Sequence, residues 1–226
     1  GAFGIKTELV VRLTVEREAA FASFQFDTHE DMLAALIHLR QRELVTRALS
    51  MDQLKAKSAT QVDVREALGV ARAVIGESKS LGGAIKDLTQ LAFGRGELQR
   101  AKWSLHLTVE AATTEMAESQ MALARCVCQG KGQEIDNMIP KAMRAKPYSI
   151  RGLVGPEGER WVPVHAILPL TRAQACMRDL VAQLQSHEDQ FQAAGVFYSW
   201  IISTLGPYIT IEPMLYWKDQ LDAVHM

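Results

Sequence analysis

The sequence predicts an α+β fold, a largely antiparallel sheet with helices packed mainly on one face. Three observations lead there. Short segments that alternate apolar and polar residues are interleaved with longer ones whose apolar residues recur at helical spacing. A strand, a threonine and an amphipathic helix follow one another around Thr28, Thr114 and Thr171, although the three units are too dissimilar to form a true repeat. The last two strand-like segments are separated only by Leu205-Gly206-Pro207, a hairpin turn that makes them antiparallel neighbours.

Each element has its own signal. Residues 6–15 are rich in Val, Leu and Thr and read as a strand, and residues 20–26 as a second one carrying Phe21, Phe24 and Phe26. Thr28 and Asp31 then approximate a capping box before a helix with Met32, Leu33, Leu36, Ile37 and Leu39 on one stripe and His38 at its boundary. Residues 45–51 make a short strand, and residues 52–93, rich in Ala, Lys and Gln, are mostly helical, divided by glycines. In residues 102–110, Trp103, Leu105, Leu107 and Val109 alternate with polar residues, which describes a half-buried strand with His106 on its polar face. A helix over 114–128 follows, closed by Gly130 and Gly132. Pro140, Pro147 and Pro156 mark residues 138–158 as a long irregular connection. Residues 161–168 form a strand, Thr171 and Gln174 a capping box for a helix reaching Ala194, and residues 196–204 and 208–217 the closing hairpin.

Composition limits the function. The 226 residues, 48% apolar and 23% charged, suffice for a packed core and exclude global disorder. With 25 basic and 26 acidic residues the formal charge is −1, so nonspecific nucleic-acid binding lacks its electrostatic drive. No apolar run is long enough to span a membrane, and no secretory pattern opens the sequence. Cys126, Cys128 and Cys176 make neither a disulfide set nor a metal site, and read as thiols of an intracellular protein, with the cytoplasm favoured. The six histidines show no i, i+4 pair, and no phosphate loop, zinc-protease motif or nucleophile elbow occurs. Both ends of the chain look cut, as in a domain excised from a longer polypeptide.

Two polar residues stand out on apolar strands. His165 lies within Val162-Pro-Val-His-Ala-Ile-Leu168, where an imidazole is either bonded to backbone in the core or at an edge, or faces a substrate. Glu212, within Ile209-Thr-Ile-Glu-Pro-Met-Leu215, needs a partner or a task. Tyr208 opens the same strand, while Tyr216 and Trp217 read as sheet-face packing. Arg151 and Arg160 flank the Pro/Gly-rich loop, either as solvated arginines or as bidentate holders of a carboxylate.

Three segments carry a resemblance. Gly1-Ala2-Phe3-Gly4-Ile5-Lys6-Thr7-Glu8 resembles the segment that ends the FAD-binding domain in the vanillyl-alcohol oxidase/p-cresol methylhydroxylase superfamily. Residues 144–165 (RAKPYSIRGLVGPEGERWVPVH) are similar to a loop and strand of that family's cap domain, and residues 206–219 (GPYITIEPMLYWKD) to the strand that returns toward the flavin. The resemblance implies that residues 1–15 are the tail of an FAD-binding domain with a linking strand, and residues 16–226 a substrate-binding cap. It implies FAD as cofactor, approached by Gly1, Phe3, Gly4 and Ile5, with an FAD-binding domain of the same polypeptide as partner. His165, Tyr208 and Glu212 would then be catalytic and Arg151 and Arg160 substrate-binding, in an enzyme passing hydride from a C–H or CH–OH group to the flavin. Some relatives attach the flavin through a His or Tyr near the position of Trp161; Trp cannot form that bond, which implies noncovalent FAD or attachment elsewhere. The two-histidine cluster of the lactate and glycolate branch is missing from residues 162–168, which favours a 4-alkylphenol or aryl alcohol as substrate. A hydroxy-acid dehydrogenase cap and a cofactor-free α+β binding module stay open as alternatives, as do a cytochrome as electron acceptor and a homo-oligomeric state.

Overall fold

A computed structural model describes residues 10, 15–60, 98–145 and 159–218. In chain order the elements are β1 (Glu18–Phe26), α1 (His29–Gln41), β2 (Arg47–Asp52), α2 (Gln53–Thr60), β3 (Trp103–Ala111), α3 (Thr114–Cys128), β4 (Gln133–Ile135), α4 (Met138–Ala145), β5 (Arg160–Pro163), β6 (Ala166–Pro169), α5 (Leu170–Ser186), α6 (Glu188–Ala193), β7 (Phe197–Leu205) and β8 (Tyr208–Trp217). The eight strands form one sheet in the order β4-β1-β3-β2-β7-β8-β5, with β6 also on β8. Every pairing is antiparallel, as the sequence predicts.

Period-two alternation sorts the strands into two faces. Ala20, Ala22, Phe24 and Phe26 of β1, Leu105, Leu107 and Val109 of β3, Trp200 and Ile202 of β7, and Ile209 and Ile211 of β8 face the main core. There they meet Leu33, Leu36 and Leu39 of α1, Met121 and Ala124 of α3, and Ala173 and Met177 of α5. The opposite face carries a smaller cluster in which Met51 and Leu49 of β2 meet Ala56 of α2, Ile139 of α4, Leu98 and Ile135. The sheet is thus covered mainly from one side, with a partial second layer.

The local chemistry follows familiar rules. Thr28 caps α1, its Oγ1 accepting the Asp31 N–H at 3.2 Å. Thr113, one residue before the threonine singled out from the sequence, caps α3 through the Met116 N–H at 3.3 Å. Pro169 ends β6 and serves as the N-cap of α5 at φ −64°. Thr171 therefore lies inside the helix and cannot cap it, which corrects the expected capping box. Residues 138–145 form α4 instead of irregular chain: Asp136 Oδ1 accepts the Met138 N–H at 2.9 Å, and Pro140 falls in the first turn, where a backbone N–H would have no helical acceptor and proline loses nothing by lacking one. The single helix expected up to Ala194 is broken at His187 into α5 and α6. Gly206, at φ +55°, occupies the first loop position of the two-residue β7–β8 hairpin, where a II′ turn calls for glycine. The strand expected over residues 6–15 falls almost wholly outside the described residues, as does the helical stretch expected over residues 61–93.

His106 corrects another expectation. Both faces of β3 are covered, so its polar face is interior and His106 is 2% exposed. Ser104 Oγ donates to the Met51 carbonyl at 3.3 Å, so it accepts from His106 Nε2 at 3.1 Å, and His106 Nδ1 accepts from Ser23 Oγ at 2.9 Å. Burial pushes the imidazole down to about 3, and it stays neutral.

Two outcomes test this packing. The missing side chain of Gly132 leaves room for Phe26: a Cβ would stand 2.7 Å from its ring. Gly132→Ala should therefore destabilise the chain by about 1–3 kcal/mol, and Phe26→Leu in the same protein should cancel part of that loss in urea denaturation. His106 is neutral in the fold but ionises near 6.5 when unfolded, so its contribution is whole above pH 6.5 and shrinks as pH falls toward about 3. Denaturation curves from pH 7 to pH 4 should show the parent losing stability relative to His106→Gln as pH falls; Asp52, which burial pushes up to about 6, acts in the opposite sense but equally in both proteins.

Candidate active site

β5 and β6 are two parts of one edge strand. Arg160–Pro163 pairs with Met214–Trp217 and Ala166–Pro169 with Tyr208–Ile211, in the same register on both sides of the interruption. Val164 and His165 therefore lie opposite Pro213 and Glu212. The Val164 N–H donates to the Pro213 carbonyl at 3.0 Å, but Pro213 has no N–H to return, and the ladder lapses there. Because hydrogen-bonded and non-hydrogen-bonded pairs alternate, His165 and Glu212 form a non-hydrogen-bonded pair, the kind whose side chains approach most closely. Their contact follows from that register: His165 Nδ1 lies 3.1 Å from Glu212 Oε2. Pro163 and Pro169 take positions whose N–H would point outward, so they blunt the free edge without costing a bond to β8.

The pair is asymmetric. The His165 side chain is 53% exposed and that of Glu212 only 15%. Burial pushes the Glu212 carboxyl up, while His165 and Lys55 pull it back down. On the same face, Trp161 stands across from Tyr216 and Ile167 across from Thr210, with Ile167 exposed.

Behind Glu212 lies a buried polar cluster in which Lys55 is the residue that the sequence did not reveal. Asp52 caps α2, its Oδ1 accepting the Lys55 N–H at 2.9 Å. Burial pushes Asp52 up to about 6 despite backbone hydrogen bonds from Lys55 and Trp200. The Lys55 side chain crosses to β8, where Nζ donates to the Tyr216 hydroxyl at 3.1 Å. Burial pulls Lys55 down to about 8, against the opposing pull of Asp52 and Glu212. Ser199 Oγ also donates to that hydroxyl, at 3.4 Å, and the Tyr216 ring stacks on Phe197 with centroids 5.1 Å apart. Asp-x-x-Lys at a strand-to-helix junction was the signal available in the sequence, but it fits any capped surface helix.

The other sequence-derived candidates are spread out. Tyr208 is 47% exposed on the same face of β8 as Glu212, four residues and roughly 13 Å away at about 3.3 Å per residue, outside the His165 contact. Arg160 pairs with Trp217, and alternation puts it on the opposite face from Glu212. Gly1, Phe3, Gly4, Ile5 and Arg151 lie outside the described residues. Among the described residues no cluster of His, Cys, Asp and Glu could hold a metal ion, and no helix is long and apolar enough to cross a membrane. Cys126, Cys128 and Cys176 are free thiols.

No family model matches the sequence, and neither does any curated protein sequence. Solved structures match the fold. A structure of alkyldihydroxyacetonephosphate synthase superposes with a TM-score of 0.57 at 12% identity, over 94% of this chain and 38% of the other. A structure of p-cresol methylhydroxylase with substrate bound superposes with a TM-score of 0.53 at 14% identity, over 89% of this chain and 39% of the other. The chain thus spans well under half the length of these proteins. At the level of the fold the resemblance read from the sequence holds: the chain has the α+β architecture of part of the FAD-linked oxidases of the vanillyl-alcohol oxidase/p-cresol methylhydroxylase family.

Proposed function

We propose that this chain is the substrate-binding cap domain of an FAD-dependent oxidoreductase that oxidises a C–H or CH–OH group of a 4-alkylphenol or aryl alcohol. In this reading residues 1–15 link the cap to an FAD-binding domain of the same polypeptide. The observation that carries it is the His165–Glu212 pair, set by register on an accessible edge of a sheet with the fold of part of such enzymes.

The chemistry of this face suits a flavin ring and a flat substrate better than a phosphate. His165 is flanked on its own strand by Trp161 and Ile167, and Arg160 turns to the other side. When bound, the flavin supplies a hydride acceptor. The chain's own part is binding and proton transfer. A neutral His165 that donates its Nδ1 proton to Glu212 keeps its lone pair on Nε2, the nitrogen left to take a proton from a substrate hydroxyl. Glu212, held by β8 and half-buried, orients the imidazole and stabilises its charged form once the proton has arrived. Trp161 and Ile167 offer apolar area to an aromatic substrate and help keep water from the pair.

In the full-length polypeptide purified with flavin, His165→Ala and Glu212→Gln should each slow flavin reduction by roughly 10²-fold or more at saturating substrate. Stopped-flow absorbance at the flavin band measures this, and unchanged rates in both variants would remove the pair from the mechanism. Residues 1–226 purified alone should be colourless, because the reading puts the dinucleotide site in another domain. Stoichiometric flavin absorbance in that preparation would contradict the assignment as a cap.

A further inference from the structure

We propose that Lys55 is a positioning residue for the His165–Glu212 pair: held against β8 by α2, its ammonium supplies the positive charge that balances the half-buried Glu212 carboxylate beneath His165. The inference rests on the reading above for the use of the pair, but not for its geometry.

The placement comes from three elements. On β8, Glu212, Met214 and Tyr216 share one face, the face that α2 covers. Tyr216 leans back along the strand, its hydroxyl 3.6 Å from Met214 Sδ and 3.4 Å from Ser199 Oγ. Ser199 pairs with Met214, so the hydroxyl sits over that pair, and Lys55 Nζ lies 3.1 Å from it. The next pair along the ladder on this face is Ile201 with Glu212. The hydroxyl therefore stands one step of two residues from Glu212, roughly 7 Å at about 3.3 Å per residue, with Nζ beside it and close enough for the two charges to act on each other. Ala56 of α2 also joins Met51 in the smaller apolar cluster, and Met51 pairs with Ile201, so apolar packing holds α2 over this same stretch.

The groups around Glu212 divide by element. The edge strand brings His165, α2 brings Lys55, and β8 itself brings the neutral hydroxyl of Tyr216. β7 brings Ile201 and Ser199, which carry no charge. Asp52, at the end of β2, faces Lys55 and accepts backbone N–H groups from Lys55 and Trp200. Lys55 is 3% exposed, so its charge acts through protein and is screened by salt far less than a surface lysine would be. Both Lys55 and His165 favour the ionised form of Glu212, against its burial. Removing the lysine charge leaves burial opposed by His165 alone. Glu212 then protonates at higher pH, and a protonated Glu212 no longer offers His165 an anion.

The experiment is an NMR titration of this chain, with the side-chain carboxyl carbon of Glu212 and the ring of His165 followed from pH 3 to pH 9. Lys55→Gln keeps a hydrogen-bonding group at Tyr216 and removes the charge; it should raise the Glu212 midpoint by roughly one pH unit. Lys55→Arg keeps the charge and should leave the midpoint near the parent value. Lys55→Met, an apolar side chain suited to a buried site, is the second neutral variant and decides the matter if the Gln variant does not fold. An unmoved Glu212 midpoint in a folded neutral variant overturns the proposal, as does an Arg variant that shifts as far as the neutral ones. No flavin is needed, so failure here leaves the flavoenzyme reading standing, and loss of that reading leaves the titration result intact.

Discussion

The candidate site depends above all on the alternation of β8. Ile209 and Ile211 point into the main core, so Thr210, Glu212, Met214 and Tyr216 are bound to the other face. Burial of the two isoleucines fixes the register, because a slip of one residue would bury Glu212 among leucines and expose the isoleucines. Pairing on both sides of β8 then selects the neighbours: His165 from the edge strand, Ile201 and Ser199 from β7. Hydrophobic burial on one face thereby holds the His165–Glu212 contact on the other.

A carboxylate in such a position needs compensation, and the structure supplies it unevenly. His165 is more than half exposed and carries a charge only when protonated, so solvent weakens its hold on the carboxylate. Lys55 is buried, and two carboxylates act on it, that of Asp52 at the cap of α2 and that of Glu212. The capping residue of a short helix is thus also part of the electrostatics of the sheet beneath it. Backbone satisfaction at the start of α2 and charge balance on β8 are coupled through one side chain.

The sequence shows the elements that frame the site because their signals are local. Alternation over residues 208–217, the hairpin at Gly206-Pro207 and the apolar stripe of α1 depend on nothing distant. The prominence of His165 and Glu212 is equally local, since each is the polar exception on an apolar strand. Their 3.1 Å contact needs the pairing of β5 and β6 with β8, which no local pattern encodes, and which puts Arg160 on the opposite face and Tyr208 four residues along the strand. Lys55 was hidden for a different reason. A lysine on a short polar helix is ordinarily solvated, and only the packing of α2 on β2 and β7 turns it inward. α4 was hidden by Pro140, read as a breaker although its place in the first turn is one that proline tolerates.

The same face of the sheet holds two polar clusters, and comparing them shows why one is a candidate site and the other is not. Ser23, His106 and Ser104 form a closed chain in which both ring nitrogens and the Ser104 hydroxyl have protein partners, and the imidazole is held far below the range of a base useful at neutral pH. Nothing in that chain reaches solvent, so it has no proton to exchange with a substrate, and its effect is to fix the register of β1, β3 and β2 against one another. The cluster of Lys55, Tyr216 and Glu212 begins equally deep but ends at His165, at the break Pro213 makes in the edge ladder. Buried charge at one end and an accessible imidazole at the other is an arrangement that can bias a proton at the surface without itself being exposed to water. Chemically the two histidines are alike. The proline that interrupts one edge pairing, and the second helix layer that closes over β3, make one of them structural and leave the other open to a ligand.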